Sequence, residues 1–220
     1  MRAVRWGIGL AALGWVAICG WGVAHREPDL SNPSAFLPWD LTEVEVCQIW
    51  ISIEDLPPLV WQAFVAAEDP TLLERPRPAS SPMARRLAAH VRRERGPGAS
   101  RFEELVLGWR LDAELTRMEL LDLYLDVVFL GGGTYGVEAA ARHYFGKPAN
   151  QLDLGEAALL AGMVPAPSRY SFLRDADLAR FRRGEVLGRM VENGWLLPAE
   201  AATWEAAPIP TADPATRCLP

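Results

Sequence analysis

The chain has 220 residues, half of them apolar, with 22 basic and 28 acidic side chains and a formal net charge of −6. That length and apolar content suit one domain with a sizeable core plus an extra segment. The acidic balance argues against wholesale nucleic-acid binding, and the three scattered histidines and three distant cysteines give no metal-ligand spacing.

Residues 6–24 form an uncharged run, preceded by Arg2 and Arg5 and followed by His25, Arg26 and Glu27. As a helix this run rises about 28 Å, close to the hydrocarbon thickness of a bilayer. Residues 1–26 are therefore predicted to be a single membrane anchor, with the arginines favouring a cytoplasmic N-terminus. Several of the nine tryptophans lie near the run, as at a membrane interface. A cleaved signal peptide is the alternative, since Gly22-Val23-Ala24 offers a small-residue site. A lipoprotein reading through Cys19 is weakened by the bulky Ile18 before it. Cys47 and Cys218 would face an oxidising compartment, where a disulfide and two free thiols both remain open. Residues 27–45 are polar and Pro-containing and read as a linker.

The domain proper is predicted over 46–209. Residues 41–53 carry β-branched side chains and Trp50, consistent with a short strand or extended lead-in. Pro57-Pro58 starts a helix reaching Glu68. Pro70, Pro76, Pro78 and Pro82 make 70–82 a loop. Helices are expected over 83–95, 101–115 and 118–129, and then Gly131-Gly132-Gly133 turns the chain. Without a preceding strand or a following GK[ST], that glycine run reads as a tight turn, not a phosphate cradle. Further helices are expected over 137–144, 154–163, 178–192 (ending at Asn193-Gly194) and 198–206. Residues 210–220 read as a loose tail. The fold class is mostly α.

Residues 120–168 read LLDLYLDVVFLGGGTYGVEAAARHYFGKPANQLDLGEAALLAGMVPAPS. The stretch resembles glycosyltransferase family 51, the peptidoglycan polymerases that join lipid II units. Tyr135-Gly136, Tyr144-Phe145-Gly146-Lys147, Glu156-Ala157-Ala158 and Pro165-Ala166-Pro167-Ser168 carry the agreement, and Leu123-Tyr124-Leu125-Asp126 matches a motif ending Leu-Tyr-Leu-Asn. Upstream, Ala63-Phe64-Val65-Ala66-Ala67-Glu68-Asp69 matches the start of the first motif. Its later Phe, His and Gly are replaced by Leu72, Arg75 and Arg77. At the second motif Ser81 survives, Thr has become Pro82, and a Gln pair has become Arg85 and Arg86. Arg101 and Glu104 keep the cation and final glutamate of the third motif. The spacing from Glu68 to Ser81 is much shorter than the family's, as if a segment over the donor groove were deleted.

The resemblance implies a lysozyme-like helical transglycosylase domain behind one transmembrane helix, anchored in the inner membrane with its domain in the periplasm. The implied partners are lipid II, the nascent glycan, the membrane and cell-wall synthesis proteins. It makes Glu68 the general base that takes the proton of an attacking sugar hydroxyl. Glu104 and Arg101 fall on the departing pyrophosphate side, with Asp69, Ser81, Arg85, Arg86 and Asp126 as substrate-binding candidates. Mg²⁺ or Mn²⁺ is the implied cofactor, with its ligands unknown. A base and a pyrophosphate-side acid both belong on one groove.

The residues also speak for themselves. Eight arginines lie between positions 75 and 101, with Glu94 the one acid beyond Arg75 and before Arg101. On a helical wheel Met83, Ala84, Leu87, Ala88 and Val91 fill one side, and Arg85, Arg86, Arg92 and Arg93 the other. Such a basic face on an acidic protein fits an anionic partner, pyrophosphate or anionic lipid. Glu68-Asp69, taken alone, reads as a solvated pair at a helix end. Glu104 lies about 200° from Phe102 on its helix, away from Leu105, Val106 and Trp109, which allows a cleft-lining position. Polymerisation of lipid II is the first functional reading. A relative that binds lipid-linked substrate or a cell-wall synthesis partner without polymerising is the second. Glycan hydrolysis by two carboxylates is the third, and no lytic motif supports it.

Overall fold

The computed structural model describes residues 47–76, 81–94 and 100–209. The expected anchor (1–26), linker (27–45) and tail (210–220) lie outside them, and with them any pairing of Cys47 with Cys218. Among the described residues no helix is long and apolar enough to cross a membrane.

Proline opens the first helix. Pro58 occupies a first-turn position of α1 (Pro58–Glu68), where a missing N–H costs nothing. Val60, Ala63, Phe64, Val65 and Ala66 of α1 are buried. They pack against α6 (Leu154–Met163) and α8 (Ala176–Glu192), and α9 (Pro198–Ala206) covers α8. Every residue of α6 is buried, as an all-round apolar helix requires. Asp153 and Glu156 satisfy its first N–H groups through a reciprocal capping box. The buried Arg183 of α8 donates to the carbonyls of Glu205 (2.8 Å) and Ala207 (2.5 Å), which staples the end of α9 in place.

A second group comprises α2 (Pro82–Glu94), α3 (Arg101–Glu114) and α4 (Arg117–Val127). As the wheel requires, α2 buries Met83, Ala84, Leu87, Ala88 and Val91 and leaves Arg85, Arg86 and Arg93 exposed. Ser100 caps α3, and a Thr116–Glu119 box caps α4. Helix α3 meets α2 through Leu107, Gly108 and Leu111, with Gly108 against the Arg85 Cα and Ala88. The larger apolar row of α3 points the other way: Phe102, Leu105 and Trp109 are 55%, 62% and 55% exposed.

A three-stranded sheet of order β1-β3-β2 is formed by β1 (Cys47–Gln48), β2 (Phe129–Gly131) and β3 (Thr134–Tyr135). A strand therefore does precede the glycines. Helix α4 stops at Val127 rather than 129, and Gly132 and Gly133, both at positive φ, turn a tight antiparallel hairpin. The lead-in at 47–48 pairs parallel with β3. It is strapped to α4 by Ile53 N–H donating to Asp122 (2.7 Å) and Ile51 N–H donating to Asp126 (3.1 Å). Helix α5 (Val137–Phe145) follows, ends at Gly146, and leads through a 3₁₀ turn at Ala149–Gln151 to α6; a one-turn helix, α7 (Pro167–Tyr170), precedes α8.

Gly136 is pressed against the backbone of α4. It sits at φ 85° and ψ 158°, a region that side chains rarely adopt, and a Cβ there would lie 2.6 Å from the Asp126 carbonyl oxygen. Gly136→Ala is expected to cost about 3 kcal/mol or more, read as a drop in the thermal unfolding midpoint.

Candidate active site

The last turn of α1 delivers two adjacent acids into the interior. The Glu68 and Asp69 side chains are completely covered. The expectation of a solvated pair is overturned because the loop after α1 and helix α2 fold back over them carrying cations. Asp69 accepts from Arg75, Nη1 at 3.2 Å and Nη2 closer still, and from Ser81 Oγ at 2.7 Å. Arg117 of α4 donates to the carbonyls of Leu72 and Arg75 and holds that loop closed.

Glu68 has a different shell. Its Oε2 lies 2.5 Å from Arg86 Nε of α2 and accepts from the Tyr124 hydroxyl of α4 at 3.1 Å. Its Oε1 is buried with no hydrogen-bond partner among the described residues. Burial pushes the Glu68 carboxyl up, against the lowering pull of Arg86, the Tyr124 hydrogen bond, and Arg182 and Arg189 of α8. Burial and the Glu68 charge push the Tyr124 phenol well up, so it remains a hydrogen-bond donor. Arg189 also donates to the Ala67 carbonyl at 2.8 Å, tying α8 to the end of α1.

Beside this pair opens a cavity of about 310 Å³. Arg86, His90, Arg93 and Tyr124 are its polar lining, and the rest is apolar, including Leu87 of α2, Val127 of α4 and Pro167. A lining that mixes cations with apolar side chains suits a ligand with an anionic group joined to less polar parts.

The other candidates sit elsewhere. Glu104 pairs with Arg92, and neither lines the cavity. Arg86 and Arg92 project from α2 about 120° apart around its axis. Glu68 and Glu104 are thus fastened to different sides of the same helix, rather than facing each other over one groove. Arg85 lies over α3 at Gly108, and Arg101 is exposed at the start of α3. Asp126 faces the lead-in and accepts from Ile51. Among the described residues no three His, Cys, Asp or Glu side chains converge, and Glu104 is engaged by a guanidinium.

Comparison with known proteins assigns the fold. The family model described as Transglycosylase matches residues 80–191. The chain belongs to the transglycosylase family. Penicillin-binding protein 1A of Aquifex aeolicus is 33% identical over 174 residues, 70% of this chain and 24% of that protein. Penicillin-binding protein 1A of Escherichia coli is 34% identical over 172 residues, 68% of this chain and 20% of that protein. The crystal structure of Penicillin-Binding Protein 1A from Haemophilus influenzae superposes with a TM-score of 0.51 at 28% identity, covering 76% of this chain and 18% of that one. The chain thus spans a quarter or less of the length of these relatives.

The transglycosylase match begins after Glu68 and Asp69 and takes in every other candidate residue. Within this transglycosylase domain the sequence reading missed Tyr124 and His90 at the cavity, and Arg75, which grips Asp69, whereas Arg93 belongs to the basic face read from the helical wheel. Tyr124 carried a usable signal: it is the one hydroxyl in the apolar core face of α4, where a buried donor must find an acceptor. Arg75 carried none, since an arginine in a Pro-rich loop reads as solvated.

Asp126 yields a test of the strap. Its carboxyl is pushed up to about 7 by burial, with the Ile51 N–H lowering it and Asp122 raising it. A raised carboxyl favours the fold while protonated, so its contribution is complete below the ordinary aspartate range and is lost as pH rises through about 7. Asp126→Asn, which keeps the acceptor for Ile51, is expected to flatten the fall in unfolding midpoint between pH 5 and pH 8, measured by circular dichroism.

Proposed function

We propose that this chain is a peptidoglycan glycosyltransferase that polymerises lipid II with release of a lipid pyrophosphate. The observation that carries the reading is Glu68: a buried carboxylate with one oxygen unpartnered among the described residues, beside a cavity lined by two arginines and by apolar side chains. The acceptor's sugar hydroxyl attacks the anomeric carbon of the donor. A new glycosidic C–O bond forms, the hydroxyl proton passes to Glu68, and the C–O bond to pyrophosphate breaks with its electron pair leaving on the phosphate. A raised carboxyl suits this role, because a base whose basicity lies nearer the working pH accepts the proton more readily. Arg86 and Arg93 stand where a departing pyrophosphate needs positive charge. Arg85 and Arg101 extend that charge on the outside of α2 and α3, and Glu104 orients Arg92 beside them.

The membrane fits as the second surface. The exposed row Phe102, Leu105 and Trp109, with Arg101 at its head, has the make-up of a helix face that enters an anionic lipid interface. We place the domain on the periplasmic side of the inner membrane behind the 1–26 anchor, with cell-wall synthesis proteins as partners. One observation favours the second reading, a binder without turnover: the Glu68 side chain is wholly buried, with Arg86 and Tyr124 both on Oε2.

Full-length protein given fluorescent lipid II decides between them, with glycan length read on a gel. Polymer is expected, and Glu68→Gln is expected to reduce its formation by about a hundredfold or more. The rate should fall as pH is lowered through a midpoint above the ordinary glutamate range, because only the ionised carboxylate accepts a proton. Lipid II binding without polymer would establish the second reading instead.

Leu105→Ser with Trp109→Ser is expected to slow polymerisation in anionic vesicles about tenfold and to change it little in detergent. Equal loss in both media would remove α3 from the membrane surface.

A further inference from the structure

We propose that Arg86 is an exchangeable counter-ion: a pyrophosphate-type anion entering the cavity takes the Arg86 guanidinium from Glu68 and so uncovers the carboxylate. The inference rests on reading Glu68 as the base and the cavity as the site of the leaving group.

Three observations converge on it. First, the Glu68 carboxylate is closed to an acceptor hydroxyl as it stands. Its two hydrogen-bonding neighbours differ in mobility: Tyr124 is 2% exposed and set in the core face of α4, whereas the Arg86 side chain is 46% exposed. Only Arg86 can withdraw without unpacking the interior. Second, Arg86 already forms part of the cavity wall, and His90 and Arg93 follow it at i+4 and i+7 on the same face of α2. Arg93 makes no ion pair among the described residues and stands ready as a second clamp for the same anion. Third, the competition favours the anion. A carboxylate offers one negative charge, and here only one oxygen meets Arg86, whereas a pyrophosphate offers several charges and the bidentate geometry that a guanidinium matches best.

The consequence is chemical as well as steric. The charged groups facing Glu68 are Arg86 from α2 and Arg182 and Arg189 from α8, with the Tyr124 hydroxyl from α4. Helix α6, also packed on α1, carries only Glu156, which is paired with Lys147. Arg182 is occupied by the Gly162 carbonyl and Glu185, and Arg189 by the Ala67 carbonyl. Removing Arg86 therefore removes the direct cation, and the burial that already raises the carboxyl acts with less opposition. The base becomes stronger and reachable in one event, and that event requires the donor's pyrophosphate. A site built this way stays masked until the donor is seated.

The test reads Glu68 directly in the full chain in detergent, without lipid-linked donor or acceptor, so it is independent of whether the chain polymerises. Carbon-13 glutamate labelling gives the carboxyl resonance, assigned by its loss in Glu68→Gln. Its pH midpoint is followed with and without saturating inorganic pyrophosphate, whose binding is monitored by phosphorus NMR. Pyrophosphate is expected to raise the midpoint by about one pH unit or more. In Arg86→Gln the midpoint should start high and stay there when pyrophosphate is added; Arg86→Lys should regain the response. No binding, no movement in the wild type at saturation, or an equal movement in Arg86→Gln (bare repulsion by the anion) would each overturn the exchange. Should Arg86→Gln fail to fold, Arg93→Gln serves. It leaves the Glu68 pair intact and is expected to raise the pyrophosphate concentration needed at least about fivefold with the free midpoint unchanged. An unaltered concentration refutes the clamp.

Discussion

Two carboxylates taken out of water at the end of α1 constrain everything around them. An isolated buried carboxylate is costly, and removing one partner of a buried pair costs about 3–5 kcal/mol. Glu68 and Asp69 therefore need cations and donors delivered from outside their own helix. Arg75 comes from the following loop, Ser81 from the start of α2, Arg86 from the next turn of α2 and Tyr124 from α4. Satisfying two adjacent acids thus draws both helix groups to one point, and Arg117 and Arg189 reinforce it through backbone carbonyls of the loop and of α1.

The same constraint bears on two positions that the sequence resemblance singles out. The resemblance sets Arg75 where the family has a histidine and Arg86 where it has one of a glutamine pair. Each now grips an acid of the first motif, Arg75 on Asp69 and Arg86 on Glu68. The two contacts are halves of one electrostatic solution, in which residues 70–76 are held down on the acids. The arginine face read from the helical wheel is real in position, yet it is divided in purpose. Arg86 and Arg92 serve carboxylates on different sides of α2, and Arg93 faces the cavity.

On the proposed reading, function follows from a contradiction between burial and reactivity. A general base must be ionised, poised and reachable, whereas burial covers it and resists its charge. Tyr124 and Arg86 offset the charge, one as a buried donor and the other as a half-exposed cation. The cavity beside them, with its cationic and apolar walls, supplies the place where a substrate acts on that balance.

The sequence by itself determined the helices. Proline at the heads of α1 and α9, Asp153 with Glu156 at α6 and Asn193-Gly194 at the end of α8 are local signals, and local hydrogen bonding obeys them. It also determined which face of α2 is buried, because five small or apolar side chains at helical spacing admit one answer. The hairpin at β2 and β3 and the outward turn of Phe102, Leu105 and Trp109 were decided by tertiary structure. The first needs β1 from a distant segment as a pairing partner, and the second follows from Gly108 letting α2 approach through Leu107 and Leu111. Glu68 was legible as a candidate through motif resemblance. Its partners were not, since Arg86 and Tyr124 lie 18 and 56 positions along the chain and only packing brings their atoms within hydrogen-bonding distance. Local chemistry writes the elements, while electrostatic satisfaction of a buried charge depends on which elements meet, and that is a property of the folded whole.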